Sequence, residues 1–86
     1  MHSELIRTDM QVKKMMVRVA LKYLGAATQY EVAEYLSAKF GKKYLPSDFT
    51  QTFIDLEKTK TITKLPVKRR NFRNGKPTGF GNLYVM

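Results

Sequence analysis

The sequence contains no cysteine and no tryptophan, and its single histidine is at position 2. Without cysteine the chain can form no disulfide, no thiolate zinc site and no cysteine nucleophile. One histidine is too few for a histidine metal cluster or a proton relay. No apolar run approaches the ~20 residues that a membrane-spanning helix needs, and the N-terminus lacks the apolar centre of a signal peptide. These absences predict a cytoplasmic protein that is not an enzyme, with no catalytic residues and no bound metal or cofactor.

Acidic residues are scarce as well, since seven Asp and Glu stand against sixteen Lys and Arg in a chain of 86 residues with a net charge of +9. That length suits one small domain, and a hydrophobic content of 43% is enough to fill its core. Such a surplus of positive charge favours a polyanionic partner. Residues 61–86 carry six of the nine excess positive charges, so the charge is concentrated at one end of the sequence.

A first helix is expected from Met10 to Leu24, a stretch without glycine or proline. Residues 1–8 show no pattern and are predicted to be a flexible N-terminal arm, with Asp9 as N-cap of the helix and Gly25 at its end. One broad face is apolar: Val12, Met15, Met16, Val19, Ala20 and Tyr23. A second apolar stripe lies opposite: Met10, Val17, Leu21 and Leu24. We favour a central helix of the domain, and the alternative is a helix that also forms a dimer interface.

Two more helices are expected in the middle of the chain. The stretch Thr28 to Glu31 matches a capping box, and Gly41 ends the helix that follows it. The predicted inner face of this second helix is Val32, Ala33, Leu36 and Phe40. Ala26 and Ala27 are expected as a minimal strand before it. A third helix is predicted from Ser47 to Lys58, with an inner face of Phe49, Phe53 and Leu56.

The last third of the chain predicts two antiparallel strands. Residues 61–65 are rich in β-branched side chains, and residues 79–86 include the strand-like Leu83, Tyr84 and Val85. Between them, residues 68–79 contain five basic residues and no acid. Because Asn74-Gly75 and the Pro77 to Gly79 segment are turn signals, we expect a long basic hairpin loop there.

The order helix, short strand, helix, helix, strand, loop, strand resembles the winged helix-turn-helix family. Thr28 to Leu36 is similar to the second helix of that family, and Phe49 to Ile62 is similar to its third helix running into the first wing strand. Lys60 stands where many family members have glycine. The resemblance implies an α+β fold of three helices with a C-terminal two- to three-stranded antiparallel β-wing. Residues 9–86 would form this single domain, with the wing over residues 61–86.

The family resemblance implies a protein that binds double-stranded DNA, most simply as a transcriptional regulator. The wing would hold the phosphate backbone through a cluster of basic residues: Lys68, Arg69, Arg70, Arg73 and Lys76. In the third helix, Gln51 is expected to pair with an adenine edge, whereas Thr50 and Ile54 would touch a thymine methyl group. Phosphate contacts are expected from the remaining polar candidates: Lys42, Lys43, Ser47 and Lys58. In a bacterium or phage, such a protein would be associated with the nucleoid.

Two other functions stay open. The third helix is acidic overall, since Asp48, Asp55 and Glu57 outnumber its cations, and carboxylates are repelled by the phosphates on either side of a major groove. This favours a module that docks on a protein within a larger nucleic-acid or transcription machine, such as a phage-type regulator. The apolar stripes of helix 1 would also allow a homodimer through that helix. RNA binding is the other alternative, in which Phe72 stacks on an unpaired base. The opposing interpretation is that Phe72 packs under the hairpin.

Overall fold

The first helix, α1, spans His2–Leu24 in a computed structural model that describes residues 2–86, with side chains from Asp9 onward. The predicted start at Met10 is therefore wrong, and the helix crosses the boundary that we expected between arm and domain. Residues 2–9 contain neither glycine nor proline, so nothing in them ends a helix. Asp9 lies inside the helix and places its carboxylate 3.5 Å from the Lys13 ammonium one turn later. Met1 lies outside the described residues.

Helix α1 packs on one side only. Val17, Ala20 and Leu21 are buried, but Met15 and Tyr23 on the broad apolar face are 64% and 74% exposed. The prediction of a central helix, buried on two sides, is therefore wrong. The reason is that α2 and α3 both pack against the same side of α1 and leave the other side open.

Strand β1 spans Ala27–Thr28. Helix α2 spans Gln29–Phe40 and begins after the predicted N-cap, Thr28. The Thr28 hydroxyl accepts a hydrogen bond from the Glu31 N–H, and the Glu31 carboxylate accepts one from the Thr28 N–H at 2.8 Å, so the capping box is confirmed. Gly25 and Gly41 end their helices with positive φ angles of 84° and 63°. Phe40 is half exposed, which corrects its predicted burial. It is the last residue of α2 and lies beyond the turn that packs on the core.

The third helix begins as a 3-10 turn over Pro46–Phe49 and continues as α3 over Thr50–Lys58. The predicted single helix capped by Ser47 is therefore wrong at its start. Asp48 provides the cap, because its carboxylate accepts the Leu45 N–H at 2.8 Å. The predicted inner face is confirmed, since Phe49, Phe53 and Leu56 are all buried.

The connection between α2 and the 3-10 turn is held by one serine. The Ser37 hydroxyl donates to the Ala33 carbonyl at 2.7 Å and accepts the Tyr44 N–H at 2.8 Å. These bonds attach the loop to the last turns of α2. The Tyr44 ring also packs against Phe49, with ring centroids 5.5 Å apart. A connection longer than a tight turn therefore still fixes the position of α3 relative to α2.

The sheet has three antiparallel strands in the order β1-β3-β2, where β2 is Thr63–Arg73 and β3 is Lys76–Val85. The expected long basic loop is instead paired ribbon up to a two-residue turn, with register shifts between Lys64 and Lys68 and between Asn71 and Phe72. Asn74 and Gly75 have φ angles of 54° and 78°, the geometry of a type I′ turn, which matches the twist of the flanking strands. The predicted turn from Pro77 to Gly79 is absorbed as a β-bulge opposite Asn71 and Phe72.

The core lies between the three helices and the base of the sheet. Its aromatic centre is the contact of Phe53 with Tyr84, whose ring centroids are 4.7 Å apart. Apolar side chains from α1, α2 and α3, with Ile62 and the end of β3, complete it. Lys60, just before β2, has a φ of 59°, a conformation that costs a non-glycine residue free energy. The structure is therefore an α+β domain of three helices and a three-stranded antiparallel sheet, from which the ribbon tip extends away from the core.

Candidate nucleic-acid interface

The basic residues of the β2–β3 ribbon are divided between its two faces. Side chains alternate along a strand, so Lys68, Arg70 and Phe72 share one face of β2, while Arg69, Asn71 and Arg73 share the other. The register pairs Arg70 with Phe80 and Lys68 with Asn82. We call the face that contains Lys68, Arg70, Phe72, Phe80 and Asn82 the aromatic face. The sequence predicts all five wing cations in one flexible loop, whereas the ribbon separates them onto two faces.

Arg69 is attached to the body of the domain. Its guanidinium lies 3.2 Å from both carboxylate oxygens of Glu31, the same residue that completes the capping box. Both side chains are partly exposed, so this ion pair adds little to stability. It engages one guanidinium nitrogen, Nη1, and holds the Arg69 side chain against the start of α2.

The base of the ribbon is also fixed through Thr28 and Asn71. The buried Thr28 hydroxyl donates to the Asn71 side-chain carbonyl at 2.7 Å. Gly81 permits this approach, since a Cβ atom there would lie 3.0 Å from the Asn71 amide nitrogen and 3.1 Å from Cβ of Thr28. The wing therefore emerges in a defined direction relative to the start of α2.

On the aromatic face, Arg70 lies over the ring of Phe80, with 4.7 Å between its guanidinium carbon and the ring centroid. This is a cation–π contact between directly opposed cross-strand neighbours. Phe80 is 62% exposed and Phe72 is 53% exposed. The interpretation of Phe72 as a residue packed under the hairpin is therefore wrong.

A concave surface joins the ribbon to the start of the third helix. Phe80 and Asn82 form one wall, and Ser47 and Thr50 belong to the other. Gln29 connects the elements at its floor, because its side-chain amide donates to the Thr50 hydroxyl at 2.8 Å and also to the Pro46 carbonyl. We call this surface the interface cleft. The structure thus brings Ser47 and Thr50 of the predicted site next to the wing.

Two acidic residues of the third helix, Asp48 and Asp55, lie on the side toward α1 rather than in the interface cleft. Asp48, Gln51 and Asp55 line a separate depression together with Lys13 and Lys14 of α1. The Gln51 amide donates to the Asp55 carboxylate at 2.9 Å, so Gln51 is engaged within its own helix. Asp9 lines the same depression and pairs with Lys13 at 3.5 Å. Asp48 and Asp55 therefore face α1 and lie outside the interface cleft.

The remaining predicted residues of this region are exposed but dispersed. Ile54 and Lys58 continue the outer face of α3 beyond Thr50. Lys42 lies 5.6 Å from the centroid of the Tyr44 ring. Lys43 lines a groove over α2 whose other rim includes Arg73 of the wing. Lys43 and Arg73, which the sequence placed at separate sites, can therefore contact the same length of a polyanion.

Phe80, Asn82 and Gln29 line the interface cleft but were not among the residues predicted from the sequence. The signal for the first two was the alternation Phe80, Asn82, Tyr84 along one strand, which places them on the same face as a buried residue. Gln29 had no sequence signal, since its importance comes from contacts with residues 17 and 21 positions later.

Comparisons with known proteins do not assign this chain to a family. No protein-family model, curated protein or solved structure matches this chain. Within the part of the chain that the structure describes, no helix is long and apolar enough to cross a membrane. Over the same residues, no three histidine or acidic side chains come together as a metal site. The assignment of a function therefore depends on the geometry and charge described above.

Proposed function

We propose that this chain is a winged helix-turn-helix protein that binds double-stranded DNA and acts as a transcriptional regulator. The observation that carries the proposal is the β2–β3 ribbon, which presents exposed cations beside the start of the third helix, in a segment (residues 58–86) without a single acid. Lysine and arginine side chains bind DNA phosphates and release their counterions. A ribbon and a helix side by side can contact the backbone and a groove of the same duplex.

A backbone detail supports the winged-helix assignment. Lys60 lies between α3 and β2 with a φ of 59°, at the position where the family resemblance implies glycine. Glycine adopts positive φ without steric cost, so a glycine at this position would suit the backbone conformation that Lys60 has here. The bend sets the direction in which β2 leaves the third helix.

In this proposal the predicted contacts have different roles. The start of the third helix, with Ser47, Thr50 and Ile54, faces the major groove, and Lys58 holds a phosphate near its end. On the wing, Lys68, Arg73 and Lys76 neutralise phosphates. Lys42 and Lys43 contact the backbone next to Arg73. Gln51 reaches an adenine only if its bond to Asp55 opens, so its contribution to base recognition is the weakest of the set.

We expect binding to duplex DNA to fall steeply with salt. If about five phosphates are neutralised, the logarithm of the association constant should fall with the logarithm of salt concentration with a slope of roughly −4 to −5. Fluorescence anisotropy of a labelled random-sequence duplex, titrated at several salt concentrations, measures this slope. A protein that fails to bind the duplex even at low salt is not a DNA-binding protein, and the proposal would then be wrong.

The exposed face of α1 favours a second candidate role, the formation of a homodimer. Val12, Met15, Val19 and Tyr23 form an apolar stripe along it, and Tyr23 also stacks on Tyr35 with ring centroids 5.1 Å apart. In an antiparallel pair of α1 helices, Val12 of one copy would meet Tyr23 of the other. The spacing of the stripe therefore suits an isologous two-fold contact between two copies.

The dimer and the DNA complex should respond to salt in opposite directions. Each copy carries a net charge of +9, so added salt screens the repulsion between copies and strengthens the dimer. Sedimentation equilibrium at low and high salt should show association that increases with salt and is lost in Tyr23→Lys. A monomer under all conditions, or a dimer that Tyr23→Lys leaves intact, would exclude this interface.

A further inference from the structure

The aromatic face of the ribbon exposes two phenylalanine rings where a solvated strand would carry polar side chains. Phe80 and Phe72 are each more than half exposed, and both lie on the edge of the molecule formed by the ribbon. Their neighbours on that face are Lys68 and Arg70. Burying an aromatic side chain stabilises a complex strongly, whereas leaving one in water does not stabilise the free protein.

These rings do not serve the core. The core aromatics are Phe49, Phe53 and Tyr84, and the ribbon is held to the domain through its opposite face by Thr28, Asn71 and the Arg69–Glu31 ion pair. Phe80 instead borders the interface cleft opposite Ser47 and Thr50. A ligand bound in the interface cleft could therefore contact the Phe80 ring.

Arg70 adds a second planar surface to the Phe80 ring. Its guanidinium lies over the ring at 4.7 Å, so it covers one face of the Phe80 ring. A base can stack on the outer side of the guanidinium or on the uncovered part of the ring. Nucleobases stack on aromatic rings and on arginine guanidinium planes, and the adjacent phosphate can be met by Lys68. A base within an intact duplex has both faces covered by its neighbours, so only an unstacked base can use such a surface.

We propose that the aromatic face binds an unpaired base of DNA, with Phe80 and Arg70 as the stacking surface and Phe72 as the next one along the strand. The protein would then prefer duplex DNA that contains an unpaired segment over fully paired duplex. This inference rests on the proposed DNA-binding function. It adds a specificity that phosphate contacts alone do not provide, because every duplex offers the same phosphates.

Two labelled DNA probes of equal length and equal phosphate number test the proposal. One is fully paired, and the other has a short mismatched segment at its centre that contains 2-aminopurine. The wild-type protein should bind the mismatched probe about tenfold more tightly than the paired probe, because one base–aromatic stack contributes about that factor to the affinity. It should also quench 2-aminopurine fluorescence. Phe80→Leu should remove both the preference and the quenching, while the salt slope for the paired probe stays unchanged.

Two further variants test whether the effect is specific to the stacking surface. Arg70→Lys keeps the charge but removes the planar group, so it should reduce the quenching and leave the salt slope intact. Phe40→Leu is the matched control, because Phe40 is a similarly exposed ring on α2, outside the ribbon. It should behave as the wild type. Phe80→Leu alters an exposed side chain, so the fold is expected to persist, and a circular dichroism melting curve verifies this.

The outcomes separate this inference from the function on which it rests. Salt-sensitive binding that is equal for the two probes, without quenching, would overturn the stacking proposal and leave duplex binding standing. If neither probe binds, both proposals fail. Tighter binding of a single-stranded RNA of the same sequence than of the mismatched DNA would assign the aromatic face to RNA and overturn the proposal for DNA.

Discussion

Replacing Lys68, Arg73 and Lys76 together with alanine should weaken binding to duplex DNA by about two orders of magnitude at 0.1 M salt. Each lost phosphate contact should also reduce the magnitude of the salt slope by about 0.9, so the slope should flatten by nearly three. The three residues are exposed on the ribbon, and none forms an ion pair within the described side chains. Their side chains are therefore available to phosphates.

Arg69 and Arg70 are left in place in this variant for structural reasons. Arg69 forms an ion pair with Glu31, and its removal would change the start of α2 as well as the wing. Arg70 contacts the Phe80 ring and belongs to the stacking proposal. A variant that keeps both residues tests the phosphate contacts while the Arg69–Glu31 ion pair and the Arg70–Phe80 contact remain in place.

The matched control removes three cations elsewhere on the surface. Arg18 and Lys22 on α1 and Lys39 on α2 are exposed and distant in sequence from the wing. Replacing them with alanine lowers the net charge by the same amount and introduces a residue that favours helix. Anisotropy titrations at four salt concentrations compare the two variants. Equal losses in both would show that net charge drives the binding and that the ribbon is not the site.

Phe53→Ala should remove much of the stability of the domain. Phe53 is buried and packs on Tyr84 with ring centroids 4.7 Å apart. This contact joins α3 to the sheet. Replacing a buried phenylalanine with alanine costs about 3–5 kcal/mol, out of the roughly 5–15 kcal/mol that stabilises a folded domain. Urea denaturation followed by circular dichroism measures this loss as a fall in the midpoint concentration.

Ile54→Ala is the control for this prediction, because Ile54 is adjacent in sequence and lies 41% exposed on the outer side of α3. A substitution at such a surface position usually changes stability by no more than about 0.5 kcal/mol. The two variants should therefore differ by several kcal/mol in the free energy of unfolding. Similar losses in both would mean that the inner and outer faces of α3 are wrongly assigned.

The sequence by itself determined the features that depend on neighbouring residues. The capping box of Thr28 and Glu31, the glycines that end α1 and α2 and the Asn74-Gly75 turn all involve groups a few positions apart. Their conformations follow from local hydrogen bonds and steric limits. The inner face of α3 was also predictable, because only one of its sides carries large aromatic residues. The concentration of positive charge in residues 61–86 is evident from the sequence alone.

Only the tertiary structure decided the features that depend on distant parts of the chain. The two apolar stripes of α1 are chemically alike, and which of their residues are buried depends on where α2 and α3 pack. The separation of the wing cations onto two faces, the Arg69–Glu31 ion pair and the Arg70–Phe80 contact follow from strand register. A shift of one residue in that register would move each of these side chains to the opposite face. Register is set by contacts such as Thr28 with Asn71, 43 positions apart, and local sequence patterns carry no information on such pairs.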